Sequence, residues 1–341
     1  MKRNGIIGAG NWLLDKVKQL DRFPAEGELA VILHEQPATG GGPANVLFDL
    51  AVMDPAIPLW ACGLVGEDND GKFILDAIAA HKIDATYMST TNQAATSYTD
   101  VMSAAGRRTF FHCAGANDLF GYEDAVKADV PAKLFYLGYP LLLAALDAEE
   151  KEFGTVGAKV LHEMRKRGLQ TVVDVVSAAA EKFHRVIPSL LPEIDFLVVN
   201  EVEAGNFYGQ PVRINGVLDC EKLIAAGKAL LNGGVSELVT IHFPEGALAL
   251  AKNGELVYEP SCDILRSEIA GSVGAGDAFC AGMVYSIHEG LPIREALKIA
   301  SGSAYFNLLS PTSTGGAVPL AKIREHLKDC NWSDIPAYFT K

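Results

Sequence analysis

The stretch Gly271-Ser272-Val273-Gly274-Ala275-Gly276-Asp277 runs directly into Ala278-Phe279-Cys280-Ala281-Gly282-Met283-Val284-Tyr285-Ser286-Ile287. A turn of small residues opens an apolar helix, with a carboxylate at the opening. The first N–H groups of a helix carry partial positive charge and have no partner within the helix, so they suit an anion. Gly274 and Gly276 lack Cβ atoms and let a bulky oxyanion approach the backbone. A carboxylate beside such an anion repels it unless the carboxylate has a task. Taking a proton from a hydroxyl while the amides hold a phosphoryl group is a task that fits. Asp before an apolar helix is also a common N-cap, so the stretch by itself fits both readings.

A second glycine run precedes another helix: Gly40-Gly41-Gly42-Pro43-Ala44-Asn45. A glycine run before a helix also fits a plain tight turn, but three in a row with Asn one turn in point to backbone touching a ligand. Together the two stretches resemble the paired signatures of the PfkB/ribokinase family of carbohydrate and nucleoside kinases. Their order and separation also match, and the resemblance extends from about Asn4 to Lys328. It implies a ribokinase-like α/β fold: a mostly parallel central sheet, helices on both faces, and a small β-sheet lid. It also implies ATP-dependent phosphorylation of a hydroxymethyl group on a sugar or sugar-like molecule, with Mg²⁺. Asp277 is then the general base, and the amides of Gly274, Ala275 and Gly276 form the anion hole. Asn11, Asp15, Gly41, Gly42 and Asn45 are the expected acceptor-binding residues. Asn200, Glu203, Thr240, Gly246 and Asn307 are expected on the nucleotide side, with Glu203 reaching the metal indirectly, through water.

Composition agrees with a large enzyme. The chain has 341 residues, 49% apolar and 21% charged, enough for a sizeable core. It reads as one kinase domain over 1–341, with lid strands drawn from about 12–40 and 96–114. The net charge of −13 argues against nucleic-acid or membrane-surface partners. The six cysteines are scattered without a CxxC pair and read as reduced thiols of a cytoplasmic protein. No segment approaches the roughly 18 consecutive apolar residues of a membrane span.

Along the chain, Gly5 to Gly10 is a buried strand ending in glycines. Gly8-x-Gly10 invites a nicotinamide-dehydrogenase reading, but Leu13 stands where the third glycine belongs. Asp15 is placed in a loop just beyond that strand, where the family binds sugar hydroxyls. Asn11-Trp12-Leu13-Leu14-Asp15 is similar to adenosine-type kinases, which keeps a nucleoside acceptor open. Leu29–Gln36 reads as a strand, Ala44–Met53 as a helix, and residues 97–113 as a hairpin turning at Ser103-Ala104-Ala105-Gly106. The family uses such a β-sheet as a lid and often as a dimer clasp, so a homodimer through the lid is expected. Gly66 to Phe73 is a near miss for a Walker A loop. It carries acids where phosphates would lie, and reads instead as a turn before a helix Phe73–His81. From Lys133 onward strands and helices alternate, which argues for a parallel sheet. The strand Leu238–Ile241 precedes His242, which fits a nucleotide contact or, more simply, a loop histidine without a role, and 247–251 pairs with 255–259.

Three departures from the family bear on specificity. Gly271-Ser272 replaces the usual Asp-Thr, which argues against a monovalent-cation site. Gly42 and Gly138 stand where ribokinases carry a Lys and a Glu against ribose, which argues against a strict ribokinase. A non-catalytic ligand-binding relative remains the alternative from another class, given the altered 242–246 and 271–272 stretches.

Overall fold

A computed structural model describes residues 3–104, 107–177 and 180–340. A nine-stranded sheet forms the centre. From one edge its order is Leu256–Pro260, Gly246–Ala251, Leu238–Phe243, Phe196–Asn200, Gln170–Asp174, Leu134–Gly138, Ile6–Gly10, Leu59–Gly66 and Asp84–Thr91. Pairing is parallel from Leu238–Phe243 to Asp84–Thr91, and the hairpin at the first edge is antiparallel. The strands are apolar on both sides because both sides are covered. Ile6, Leu134, Tyr136, Val172 and Val198 pack into one core, while Ile7, Phe135, Leu137, Val173 and Val199 pack into the other. Period-two alternation thus feeds two helical layers from single strands.

The helices Gly42–Met53, Asn69–Ala80, Ala275–Glu289, Ile293–Leu308 and Leu320–Asp329 cover one face. Val156–Lys166, Ala180–Leu190 and Cys220–Asn232 cover the other. Ala275–Glu289 ends at Gly290 in the left-handed region, and Pro292 caps the start of Ile293–Leu308. The two helices pack so closely that a Cβ on Gly282 would lie 2.5 Å from the Ala300 Cα.

The chain leaves Ile6–Gly10 toward one side of the sheet and returns through Leu134–Gly138 on the other side. Doubly wound sheets open a ligand crevice at such a reversal, beyond the carboxyl ends of the strands. Over this crevice stands a four-stranded sheet, in the order Ile32–Gly40, Leu13–Leu20, Tyr98–Ala104, Arg107–Cys113. This small separate sheet, called the lid below, draws its strands from 13–40 and 98–113, and two details differ from the sequence expectation. Asp15 lies within a strand, paired with Ala38 and Thr99, not in a loop. The first edge strand is Ile32–Gly40, not Leu29–Gln36. Leu29 and Val31 are exposed there, so no core rewards the apolar run, and register with Leu13–Leu20 sets the strand instead. The expected turn at Ala105-Gly106 lies outside the described residues.

The acidic turn at Gly66 is structural, as its sequence implied. Asp68 caps the helix at Asn69, accepting from the Gly71 N–H, and also accepts from the backbone and hydroxyl of Thr96. The helix begins four residues before the expected Phe73 because this cap sets its start.

Candidate active site

A cleft of about 940 Å³ lies between the lid and the strand ends. Asp277 forms part of its floor and is only 5% exposed. Its Oδ1 accepts from the Tyr139 hydroxyl at 2.7 Å, and its Oδ2 accepts from Asn45 Nδ2 at 2.9 Å. Burial pushes Asp277 up to about 6, and these two hydrogen bonds limit the rise. A carboxylate with that value sits near neutrality, where a proton acceptor works best.

The turn before Asp277 is shaped by Gly274, whose φ is 80°. A Cβ there would meet the Ser313 carbonyl oxygen at 2.3 Å, so only glycine fits. No side chain caps the helix, which leaves the first-turn N–H groups free of an internal side-chain acceptor. Gly276 has a different reason to be glycine. A Cβ there would have ordinary room, 3.4 Å from the His242 ring, but would stand on the cleft wall.

The other glycine run is equally constrained. Gly41 has φ 93°, and a Cβ on it would collide with the Asn11 carbonyl oxygen. Asn45 follows one turn into the helix and reaches Asp277, so the two signature stretches meet side chain to side chain.

Tyr139 escaped the sequence reading. It follows Gly138 at a strand end and has φ 62°, rare for a bulky residue. A Cβ on Gly42 would touch Tyr139 Cδ1 at 3.0 Å, and one on Gly138 would meet Pro43 at 2.6 Å. Both positions are therefore closed to a side chain. Tyr139 occupies the space beside Gly42, and its phenol is turned onto Asp277. The signal available in sequence was its place at a strand end beside the reversal point.

Carboxyl groups crowd the same cleft. Burial raises Asp15 to about 7, with Asp277 adding repulsion. Burial likewise raises Glu203 to about 7. Asp174 is pushed well up by burial and by the Asp277 charge, and its Oδ1 is sealed without a partner. Glu203 and Asn200 form a reciprocal capping box: the Asn200 side chain accepts from two backbone N–H groups, and Glu203 accepts from the Asn200 N–H. Glu203 also accepts from the Ser177 hydroxyl at 2.9 Å. Against these acids the lid brings Arg108 to the wall, and its Nη1 is buried without a partner. Lid alternation places Asp15, Thr99 and His112 in one row on this side, with Thr99 and His112 hydrogen-bonded at 3.1 Å.

Of the expected residues, Asp15, Gly41, Asn45, Asn200, Glu203, Gly274, Gly276 and Asp277 line the cleft. Asn11, Gly42, Ala275, Thr240, Gly246 and Asn307 stand off its wall. Asn11 lies fully buried behind Gly41, its amide directed to the Leu142 carbonyl. Thr240 is mid-strand and sealed, because Leu238–Phe243 runs two residues beyond the expected Ile241. That extension makes His242 the residue facing the cleft. It is not a loop histidine: its ring stacks on Phe279, and burial lowers it to about 4, so it is neutral. Gly246 starts the return strand, where a Cβ would meet Glu259 and Tyr258. Asn307 donates to the Ser313 carbonyl at 2.5 Å and braces from behind the segment that abuts Gly274.

Fold and cleft together define a doubly wound α/β phosphotransferase that acts on an alcohol group under a β-lid. A family model described as pfkB family carbohydrate kinase matches residues 13–319. A ribokinase of Arabidopsis thaliana is 25% identical over 308 residues, covering 88% of this chain and 74% of that protein. The solved structure of Arabidopsis thaliana ribokinase with ribose and ATP superposes with a TM-score of 0.77 at 21% identity, over 96% of this chain and 99% of that one. The Methanocaldococcus jannaschii nucleoside kinase superposes with a TM-score of 0.72 at 15% identity, over 96% and 99%. The chain belongs to the pfkB family of carbohydrate kinases.

Proposed function

We propose that this kinase transfers the terminal phosphoryl group of ATP to a hydroxymethyl group of a sugar or sugar-like acceptor. The observation that carries this reading is the meeting of Asp277 with an uncapped glycine turn on one cleft wall. The acceptor hydroxyl lies against Asp277, which orients it and takes its proton. The backbone amides of the Gly274–Gly276 turn hold the transferring group, with Arg108 supplying positive charge from the lid. Asn45 and Tyr139 fix the carboxylate so that it faces the acceptor. Asp15, Gly41 and Asn45 contact the acceptor's hydroxyls, with Thr99 and His112 on the lid side. Asn11 and Gly42 act from behind that surface, as Thr240, Gly246 and Asn307 do on the nucleotide side. The lid excludes water, which would otherwise compete as acceptor.

Mg²⁺ fits the residues present, since hard divalent cations take oxygen donors and the cleft offers carboxylates, one with an unpartnered buried oxygen. Glu203, Asn200 and Asp174 would hold it, largely through water, and it would neutralise phosphate charge. The exposed apolar residues Leu29, Val31, Ile32, Leu33 and Phe111 of the lid region support a homodimer through that sheet. Six free thiols suit a reduced, cytoplasmic setting. Among the described residues no helix is long and apolar enough to cross a membrane. We read the whole chain as one kinase unit.

A nucleoside acceptor is the second reading. Asp15 and its lid row favour it as much as they favour a free sugar, whereas Asn11, which first raised it, is buried off the cleft. The test is ADP release measured over a panel of sugars, polyols and nucleosides. Turnover with a hydroxymethyl acceptor supports the reading. ATP binding without turnover on any acceptor would overturn it in favour of a ligand-binding relative.

A further inference from the structure

Outside the lining of the cleft, three residues separated in sequence converge. Cys262 follows the edge hairpin, and His326 and Cys330 lie at the end of helix Leu320–Asp329, four residues apart and so on one helical face. One donor atom from each lies within 4.8 Å of the others. The two sulfurs are 3.7 Å apart. Zinc–thiolate bonds of about 2.3 Å at a tetrahedral angle put two sulfurs about 3.8 Å apart. A disulfide would need about 2.0 Å and would leave the histidine without a role. His326 Nε2 is sealed from solvent and has no hydrogen-bond partner. Its ring is held by stacking on Tyr305, with centroids 4.1 Å apart.

We propose that Cys262, His326 and Cys330 form a binding site for one zinc-type divalent cation, with solvent as the fourth ligand. Two thiolates and one imidazole suit a borderline-soft tetrahedral ion and select against Mg²⁺ or Ca²⁺. The site sits at a seam between two segments and acts as a clip. It fastens the C-terminal segment to the sheet's edge. Cys262 bridges Trp332 across an antiparallel pair, Asp263 and Ser333 add backbone hydrogen bonds at 2.8 and 2.9 Å, and the Cys262 N–H donates to Ser301. The metal would lock this seam, and binding would release the two thiol protons to solvent.

The test uses the full chain, purified under reductant, stripped with a chelator and titrated with Zn²⁺, then with Co²⁺ as a spectroscopic probe. The expected result is about one metal per chain, two protons released, and a thiolate-to-cobalt charge-transfer band. His326→Gln and Cys330→Ser should each weaken Zn²⁺ binding at least about ten-fold while keeping the far-UV spectrum. The chelated wild-type protein should melt at a lower temperature than the loaded one. The titration needs no variant, so misfolding of Cys330→Ser would not rescue the proposal. Less than about a tenth of an equivalent bound, or unchanged affinity in both variants, would overturn it. So would a metal-free chain whose intact mass is two hydrogens lower, which would mark a disulfide.

Discussion

The two walls of the cleft are built on different principles. The wall proposed to hold the phosphoryl group is main chain: Gly274 is held in the left-handed region against Ser313, and the helix it opens has no side-chain cap. The wall proposed for the acceptor is side chains, Asp15, Thr99 and His112 standing in one lid row with Tyr139 also lining the cleft. A backbone device admits few sequences, because any Cβ in the wrong place collides. A side-chain wall can be rebuilt by single substitutions without disturbing the sheet that carries it. The reaction is therefore written in a short motif, and the acceptor is not.

Removing the proton acceptor is the strongest way to test this contrast. Asp277→Asn should lower turnover by about 10²–10⁴ and leave ATP affinity near normal, measured by single-turnover ADP release and by calorimetry. Retained turnover would place the base on the acceptor wall.

The two glycines of the turn should then separate. Gly274→Ala should lose stability by at least about 1–2 kcal/mol, the cost of a left-handed non-glycine residue, with the Ser313 clash added. Gly276→Ala should melt like the wild type yet lose phosphoryl transfer, because its methyl has room in the fold but stands where the anion sits. If Gly276→Ala were fully active, the amides would not be holding the phosphoryl group.

Arg108 links the two walls. Arg108→Gln should lower kcat/KM about ten-fold, the loss of one to two kcal/mol from a charge-assisted contact. An equal loss at high salt would indicate packing rather than charge as its contribution.

Tyr139→Phe should act through Asp277. Its hydrogen bond holds the carboxyl down, so its loss should move the acidic limb of the kcat/KM profile upward from about 6. The rate should fall several-fold below that limb and recover toward alkaline pH. An unmoved limb would make Tyr139 merely a wall.

The smallest effect concerns stability. Asp15 at about 7, Glu203 at about 7 and Asp277 at about 6 are raised above ordinary carboxyls. Their neutral forms favour the folded state, so this contribution is complete below pH about 4 and is lost as pH rises through 6 to 7. Asp277→Asn should therefore raise the melting temperature at pH 8 by a few degrees and change it little at pH 4. The Asn45 amide can turn its unpartnered Oδ1 to the new donor.

Much of this was legible in the chain. The helix Gly42–Met53 was readable as Ala44–Met53, two residues short at its start, because a glycine run and Pro43 lead into an apolar stretch. The lid was readable as a separate sheet because two strands without an intervening helix do not belong to a βαβ chain. The edge strand slid because exposed Leu29 and Val31 carry the apolar signal of a strand without a core to meet it. Thr240 was misplaced by a strand end, and that shift brought His242 to the cleft instead.

Glycine spacing and apolar alternation are local, and local sterics and burial act on them directly. They determined the doubly wound sheet, the turn before Asp277 and the class of reaction. Proximity across the chain belongs to packing alone. Only the tertiary structure set Tyr139 and Asn45 on the two oxygens of Asp277, closed the space at Gly42 and Gly138, and drew Cys262 to Cys330. Those contacts depend on how the layers meet, and no stretch of sequence carries that distance.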